Sequence, residues 1–123
     1  MKVIEIPFSP DTNIKEALEK AFIQEQSFNR KFDFAIQYFG YFGQEYGGYQ
    51  VIMIDRLYDN PKNPFDYWKL LVNGSLAHVG IENYMINSGD IIEFDYSVYI
   101  PEKDAVTILG KKHDYYSALD INI

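Results

Sequence analysis

Apolar residues change their spacing once along this chain, and that change restricts the fold more than any single motif. Ile14, Leu18, Ala21 and Phe22 recur at i, i+4, i+7 and i+8, the stripe of a helix with one face against a core. Asn13 stands three residues ahead of Glu16, the spacing of a capping box, so a helix is expected over residues 13–25, fading near Gln26 or Ser27. Glu16, Glu19, Lys20 and Glu25 are expected mostly on its solvated side. From Phe32 onward the period is two. Phe32, Phe34, Ile36 and Tyr38 share one strand face, and Ile92, Phe94, Tyr96 and Val98 alternate with Glu93, Asp95, Ser97 and Tyr99. Between Tyr49 and Asp55, Val51, Ile52, Met53 and Ile54 form a nearly continuous apolar run suited to a central strand.

Turn residues divide these segments. Residues 67–72 end at Asn73-Gly74, a dipeptide in which both residues tolerate positive φ, so residues 76–81 are expected to pair back as a hairpin. Asn87-Ser88-Gly89-Asp90 predicts a second tight turn, residues 40–48 a glycine-containing turn among aromatics, and residues 59–64 a loop broken by Pro61 and Pro64. Residues 2–6, β-branched and closed by Pro7, read as a first strand. Strand, helix, then hairpin-linked strands predict an α+β domain of β-grasp-like (ubiquitin-like roll) architecture. One helix would pack on a mostly antiparallel sheet of four to five strands. The domain is expected to span residues 1–101, with 102–123 an extension packed on it or extending it. The tail Ala118-Leu119-Asp120-Ile121-Asn122-Ile123 has the alternation of an extra strand.

Composition excludes several classes of function. At 123 residues the chain suits one domain, and eighteen acids against eleven bases give a net charge of −7. Arg30-Lys31 and Lys111-Lys112 are isolated pairs, so no basic face is offered to nucleic acid or to anionic membranes. No apolar run approaches the roughly 18 residues a spanning helix needs, so no membrane insertion is expected. The absence of cysteine removes disulfides, thiol catalysis and thiolate metal sites. The start, Met1-Lys2-Val3-Ile4-Glu5-Ile6-Pro7, has no charged segment followed by an apolar one. With Met1 as the native start the protein is expected in the cytoplasm; with a leader removed, outside the cell.

Tyr67-Trp68-Lys69-Leu70-Leu71-Val72-Asn73-Gly74 is followed by Val79-Gly80-Ile81, Tyr84 and Ser88-Gly89-Asp90-Ile91-Ile92-Glu93-Phe94. This order resembles the C-terminal domain of transcobalamin and intrinsic factor and the related bacterial domains of unknown function. Upstream, Thr12-Asn13-Ile14 with Glu16-Ala17-Leu18 and Ala21 is similar to that family's helix start, and Tyr46-Gly47-Gly48-Tyr49 with Ile54 to its middle strand. The resemblance implies a β-grasp-like ligand-binding module. In the vitamin carriers this domain covers one face of cobalamin, a role that would map onto Trp68, Leu70 and Leu71. The carriers' helical barrel has no counterpart in these 123 residues, so a lone covering domain is expected to bind cobalamin weakly. The same residues also serve the fold: Trp68 as a large buried side chain, Asn73-Gly74 as the register of a hairpin, Gly80 as a bulge or close backbone approach.

Candidate chemistry is sparse. His78 with Glu93 or Asp95 could gather around a metal, and Asp55, Asp59 and Asn60 could offer oxygens to calcium, but neither spacing matches an established site, and a solvated acidic strand face explains the former. His113 is remote in sequence from His78. No nucleophile elbow and no phosphate-cradling loop with its lysine is present, so an enzyme is not expected, nor a cofactor or a metal. Aromatic residues are abundant instead: eleven Tyr, nine Phe and one Trp make 17 % of the chain. The segment from Tyr38 to Tyr49 is either a platform for a flat ligand or partner, or a hairpin whose rings pair across strands and complete the core. The expected function is a non-catalytic binding module that engages a small molecule or a protein through Tyr41, Tyr46, Tyr49, Trp68, Leu70 and Leu71. The alternative is an interaction or assembly domain that completes its sheet edge with a partner chain, for which the residues from Leu119 to Ile123 would supply a strand.

Overall fold

A computed structural model describes residues 2–41, 47–60, 62, 66–77 and 79–98. The chain is α+β, with one helix, α1 (Ile14–Ser27), and six strands among the described residues. These are β1 (Phe34–Tyr41), β2 (Gly47–Ile54), β3 (Leu57–Tyr58), β4 (Asp66–Val72), β5 (Ser75–Leu76) and β6 (Ile92–Val98). Among the described residues the strands form two antiparallel three-stranded sheets, in the orders β1-β2-β3 and β5-β4-β6, in place of the expected single sheet of four to five strands. The central positions go to β2, which carries the apolar run Val51 to Ile54, and to β4, which buries Leu70.

Helix α1 begins as its sequence predicts. The Asn13 side chain accepts from the Glu16 N–H at 2.8 Å while the Glu16 carboxylate accepts from the Asn13 N–H at 3.2 Å. It ends where Asn29 takes φ +58°, with the Arg30 N–H returning to the Glu25 carbonyl at 2.8 Å. The buried stripe differs from the expected one at its last turn. Ile14, Leu18, Ala21 and Glu25 face inward, whereas Phe22 is exposed. Glu25 tolerates burial because Arg30 binds its carboxylate through two nitrogens, at 2.8 and 3.0 Å.

One core holds both sheets and the helix together. Ile14, Leu18 and Ala21 of α1 meet Val51 of β2 and Leu70 of β4, with Phe32 and Ile81 closing the ends. Ile81 explains why the return strand stops early. Pairing was expected to run to residue 81, but the chain leaves β4 after Leu76, with one more bond from the Ala77 N–H to the Leu70 carbonyl at 2.9 Å. It then turns so that Ile81, 1 % exposed, caps the start of the helix. Burying such a side chain stabilises by roughly 1.5–3 kcal/mol. Its backbone is satisfied as well, its N–H by the Tyr49 carbonyl and its carbonyl by the Lys15 N–H, each at 3.0 Å.

Residues 2–6 are not a strand. Their neighbour is the end of α1, where the Gln24 amide donates to the Glu5 carbonyl at 2.8 Å. Strand β1 starts at Phe34, two residues later than its alternation suggests. Gly80 is buried in a turn rather than in a strand bulge, its carbonyl accepting from the Asn83 N–H at 2.8 Å. Asn73 (φ +52°) and Gly74 (φ +82°) form the expected two-residue hairpin turn between β4 and β5. The turn at 87–90 also forms, closed by the Asp90 N–H on the Asn87 carbonyl at 3.0 Å. Most of the turn between β1 and β2, and the extension 102–123 with its tail, lie outside the described residues.

Candidate binding site between the two sheets

Where β2 approaches β4, a cleft of about 150 Å³ opens between the sheets, lined by Phe39, Gln50, Val51, Ile52, Asp59, Tyr67 and Trp68. A bulge shapes its floor. Ala35 pairs with Met53 but Ile36 with Val51, so Ile52 has no opposite number in the ladder. The Ile52 carbonyl instead accepts from the Asp59 N–H at 2.8 Å, which brings Asp59 from the end of β3 to the rim.

Trp68 forms the far wall and is held from two directions. Its indole N–H donates to the Leu57 carbonyl at 2.9 Å, and its ring meets Tyr96 edge-on, centroids 5.0 Å apart. Tyr96 in turn donates its hydroxyl to the Tyr58 carbonyl at 2.8 Å. The same seam carries a short bridge in which Asn60 and Asp66 exchange N–H···O bonds at 2.9 and 3.0 Å. A wall fixed in this way needs little ordering when something docks against it.

Burial pushes the Asp59 carboxyl above its ordinary pKa, and no hydrogen bond or ion pair to its carboxylate occurs among the described residues. Burial also raises the Tyr96 phenol, followed by the negative charges of Asp66 and Asp59. The cleft therefore combines flat apolar walls, one amide at Gln50 and a partly desolvated carboxylate. It can hold a ring or a head group and orient it by hydrogen bonds. A larger open groove of about 610 Å³ lies between residues 2–5 and the end of α1. Two of its cations are already engaged, Lys2 by Asp55 and Arg30 by Glu25, and Glu5 and Lys31 also line it.

Of the residues expected to bind, Trp68 lines this cleft. Leu70 is in the core, and Leu71, half-buried on the opposite face of β4, sits between Leu76 and Glu93. Tyr49 lies elsewhere, its ring 5.3 Å from that of Tyr38 and beneath the Lys15 ammonium at 5.7 Å. Tyr41 pairs through its backbone with Gly47, and Tyr46 lies outside the described residues. The aromatic segment thus divides: Tyr38 pairs across strands with Tyr49, and Phe39 turns to the cleft. Gln50, Ile52, Asp59 and Tyr67 line the cleft without being expected to bind there; the sequence singles out Asp59 only as an oxygen donor to calcium and Ile52 only as part of a central strand. A bulge and a two-residue strand bring the first three together, and neither leaves a sequence signal.

The metal hypotheses gain no support. Glu93 and Asp95 share an exposed face of β6, His78 and His113 lie outside the described residues, and no group of three ligating side chains gathers among the described residues. Asp55 is taken up by Lys2 and by the Asp33 N–H at 3.0 Å, and the Asn60 side-chain carbonyl by the Lys62 N–H at 3.2 Å.

A family model matches residues 12–98, from the residue before the helix cap to the last residue of β6, and so takes in the helix and every strand. The chain belongs to the DUF4430 family. That family is described as a domain of unknown function. No curated protein and no solved structure matches the chain. Among the described residues no helix is long and apolar enough to cross a membrane.

Proposed function

We propose that this DUF4430 domain is a non-catalytic binding module that takes a ring or head group of a small molecule into the cleft between its sheets. The observation that carries this reading is a cleft lined by Phe39 and by a fixed aromatic ring, Trp68, with the Asp59 carboxylate at its rim unpaired among the described residues. Phe39 is 43 % exposed, so its ring is accessible to a ligand. Pockets for whole drug-sized ligands run to about 300–1,000 Å³, so a cleft of about 150 Å³ suits one group of a ligand and not its full body. The resemblance of residues 67–96 to the C-terminal domain of transcobalamin and intrinsic factor supports the same reading. A domain that covers one face of a larger ligand needs a shallow contact surface of this kind.

Trp68 is the chain's sole tryptophan, so its emission reports directly on the cleft. A thermal-shift screen of small ring compounds, with cobalamin as one arm, should yield ligands that stabilise the protein and change Trp68 emission. At a concentration about 100 times Kd the stabilisation is roughly 2.7 kcal/mol. Phe39→Ala should abolish that shift while the unliganded protein stays folded. Ligands that stabilise the wild type and Phe39→Ala equally, with Trp68 emission unchanged, would place binding elsewhere.

A second reading, assembly through a sheet edge, draws on β1 and β6. Neither has a partner strand on its outer side among the described residues, and each runs for at least seven residues.

A further inference from the structure

The inter-sheet cleft has one feature that a purely apolar ligand would leave unused. Asp59 stands at its rim, half-buried, with its backbone N–H committed to the Ile52 carbonyl and no partner for its carboxylate among the described residues. A partly desolvated carboxylate without a donor is costly, and a cationic donor offsets that cost most effectively. The same cleft is lined by Trp68, whose indole, the best of the side-chain rings for a cation, is held in place by the Leu57 carbonyl and the Tyr96 ring. A second carboxylate, Asp66, adds to the local negative field, as its effect on the Tyr96 phenol shows. Lys69 of β4 holds its ammonium 5.9 Å from the ring of Tyr67, which also lines the cleft. At the scale of the whole molecule, a net charge of −7 draws small cations inward and repels anions.

We infer that the cleft selects a small organic cation, an ammonium group carried on a compact apolar body, with Asp59 as its counter-ion and Trp68 and Phe39 as its walls. This rests on the binding-module reading and names the ligand class for the same cleft. Its volume of about 150 Å³ equals that of roughly five waters at 30 Å³ each, room for an ammonium and a few carbons or one ring.

Benzylammonium, benzyl alcohol and benzoate share a ring and differ in charge, so they separate charge from shape. Titrated into the folded full chain at low ionic strength, benzylammonium should shift the single indole N–H resonance of Trp68 in a saturable way. It should bind about tenfold more tightly than benzyl alcohol, a difference of about 1.4 kcal/mol. Benzoate should bind more weakly than either. Asp59→Asn should bring the ammonium and the alcohol to parity and leave the alcohol's affinity unchanged. Equal affinities of ammonium and alcohol for the wild type would overturn the cation assignment while leaving the cleft as a binding site. Failure of all three to move the indole resonance would also overturn it. The wild-type comparison decides even if Asp59→Asn does not fold.

Discussion

Gly48 shows how much structure a single missing side chain can permit. Its φ is +86°, and a Cβ built there would come within 2.5 Å of the Glu82 carboxylate. That carboxylate cannot move aside freely, because both its oxygens accept from the Tyr49 N–H, at 3.1 and 3.2 Å. The contact ties the start of β2 to the loop that carries Ile81 into the core. Gly48→Ala should therefore carry two costs: backbone strain of about 1–3 kcal/mol, and the loss of a charge-assisted bond worth about 1.5–3 kcal/mol. Urea denaturation should show a loss of at least about 1 kcal/mol for this variant. A midpoint within error of wild type would mean that Glu82 does not hold the strand. Spacing reads the glycine as turn material, and the resemblance places it at the start of a middle strand. Its partner, Glu82, lies 34 positions away and nothing local announces it.

Elements that depend on neighbours in sequence were the most readable. The capping box of α1, the Asn73-Gly74 turn and the turn at 87–90 follow from short-range rules, and all three form. Readings that needed long-range packing fared differently. Periodicity placed Phe22 inside and Glu25 outside; the structure reverses them because Arg30, five residues on, satisfies a buried carboxylate. The two turns also prove to be joined, which no spacing rule predicts. The Asn73 N–H donates to the Ile91 carbonyl at 2.8 Å, and its side chain both accepts from the Ile91 N–H and donates to Asp90. The Asp90 carboxyl is held below its ordinary range by bonds from the Asn73 amide, the Asn87 N–H and the Tyr84 hydroxyl, in that order of effect. A carboxyl whose native pKa is depressed stabilises the fold above its unfolded pKa, and that stabilisation is lost as pH falls through the native value. Urea midpoints followed from about pH 5 to about pH 2 should fall less steeply for Asp90→Asn than for wild type, the divergence opening below the unfolded pKa of about 3.9. Asp55 and Glu25, also held low, keep a residual slope in both proteins. Parallel curves would show that the junction between the turns does not depend on the Asp90 charge.

The division into two sheets is a property of the whole molecule, and the sequence hides it for a physical reason. Both sheets contribute to one core, Val51 from the first and Leu70 from the second, so burial patterns look like those of one continuous sheet. In place of a continuous strand ladder the two sheets are joined by a seam in which Trp68 donates to the Leu57 carbonyl and Tyr96 to the Tyr58 carbonyl. Such bonds have no periodic signature. The seam also bears on how the molecule unfolds. If the shared core dominates, neither sheet can leave without exposing Ile14, Leu18 and Leu70, and opening the seam means global unfolding. Trp68 emission reports the seam and far-UV circular dichroism reports α1, so the two should give coincident urea transitions. Tyr96→Phe, which removes one bond of the seam, should lower both midpoints together, by an amount equivalent to about 0.5–1.5 kcal/mol. A Trp68 transition that precedes the helix signal, or a variant that moves only that transition, would mean that the sheets separate before the core melts. The cleft would then be a hinge between two units rather than a preformed site.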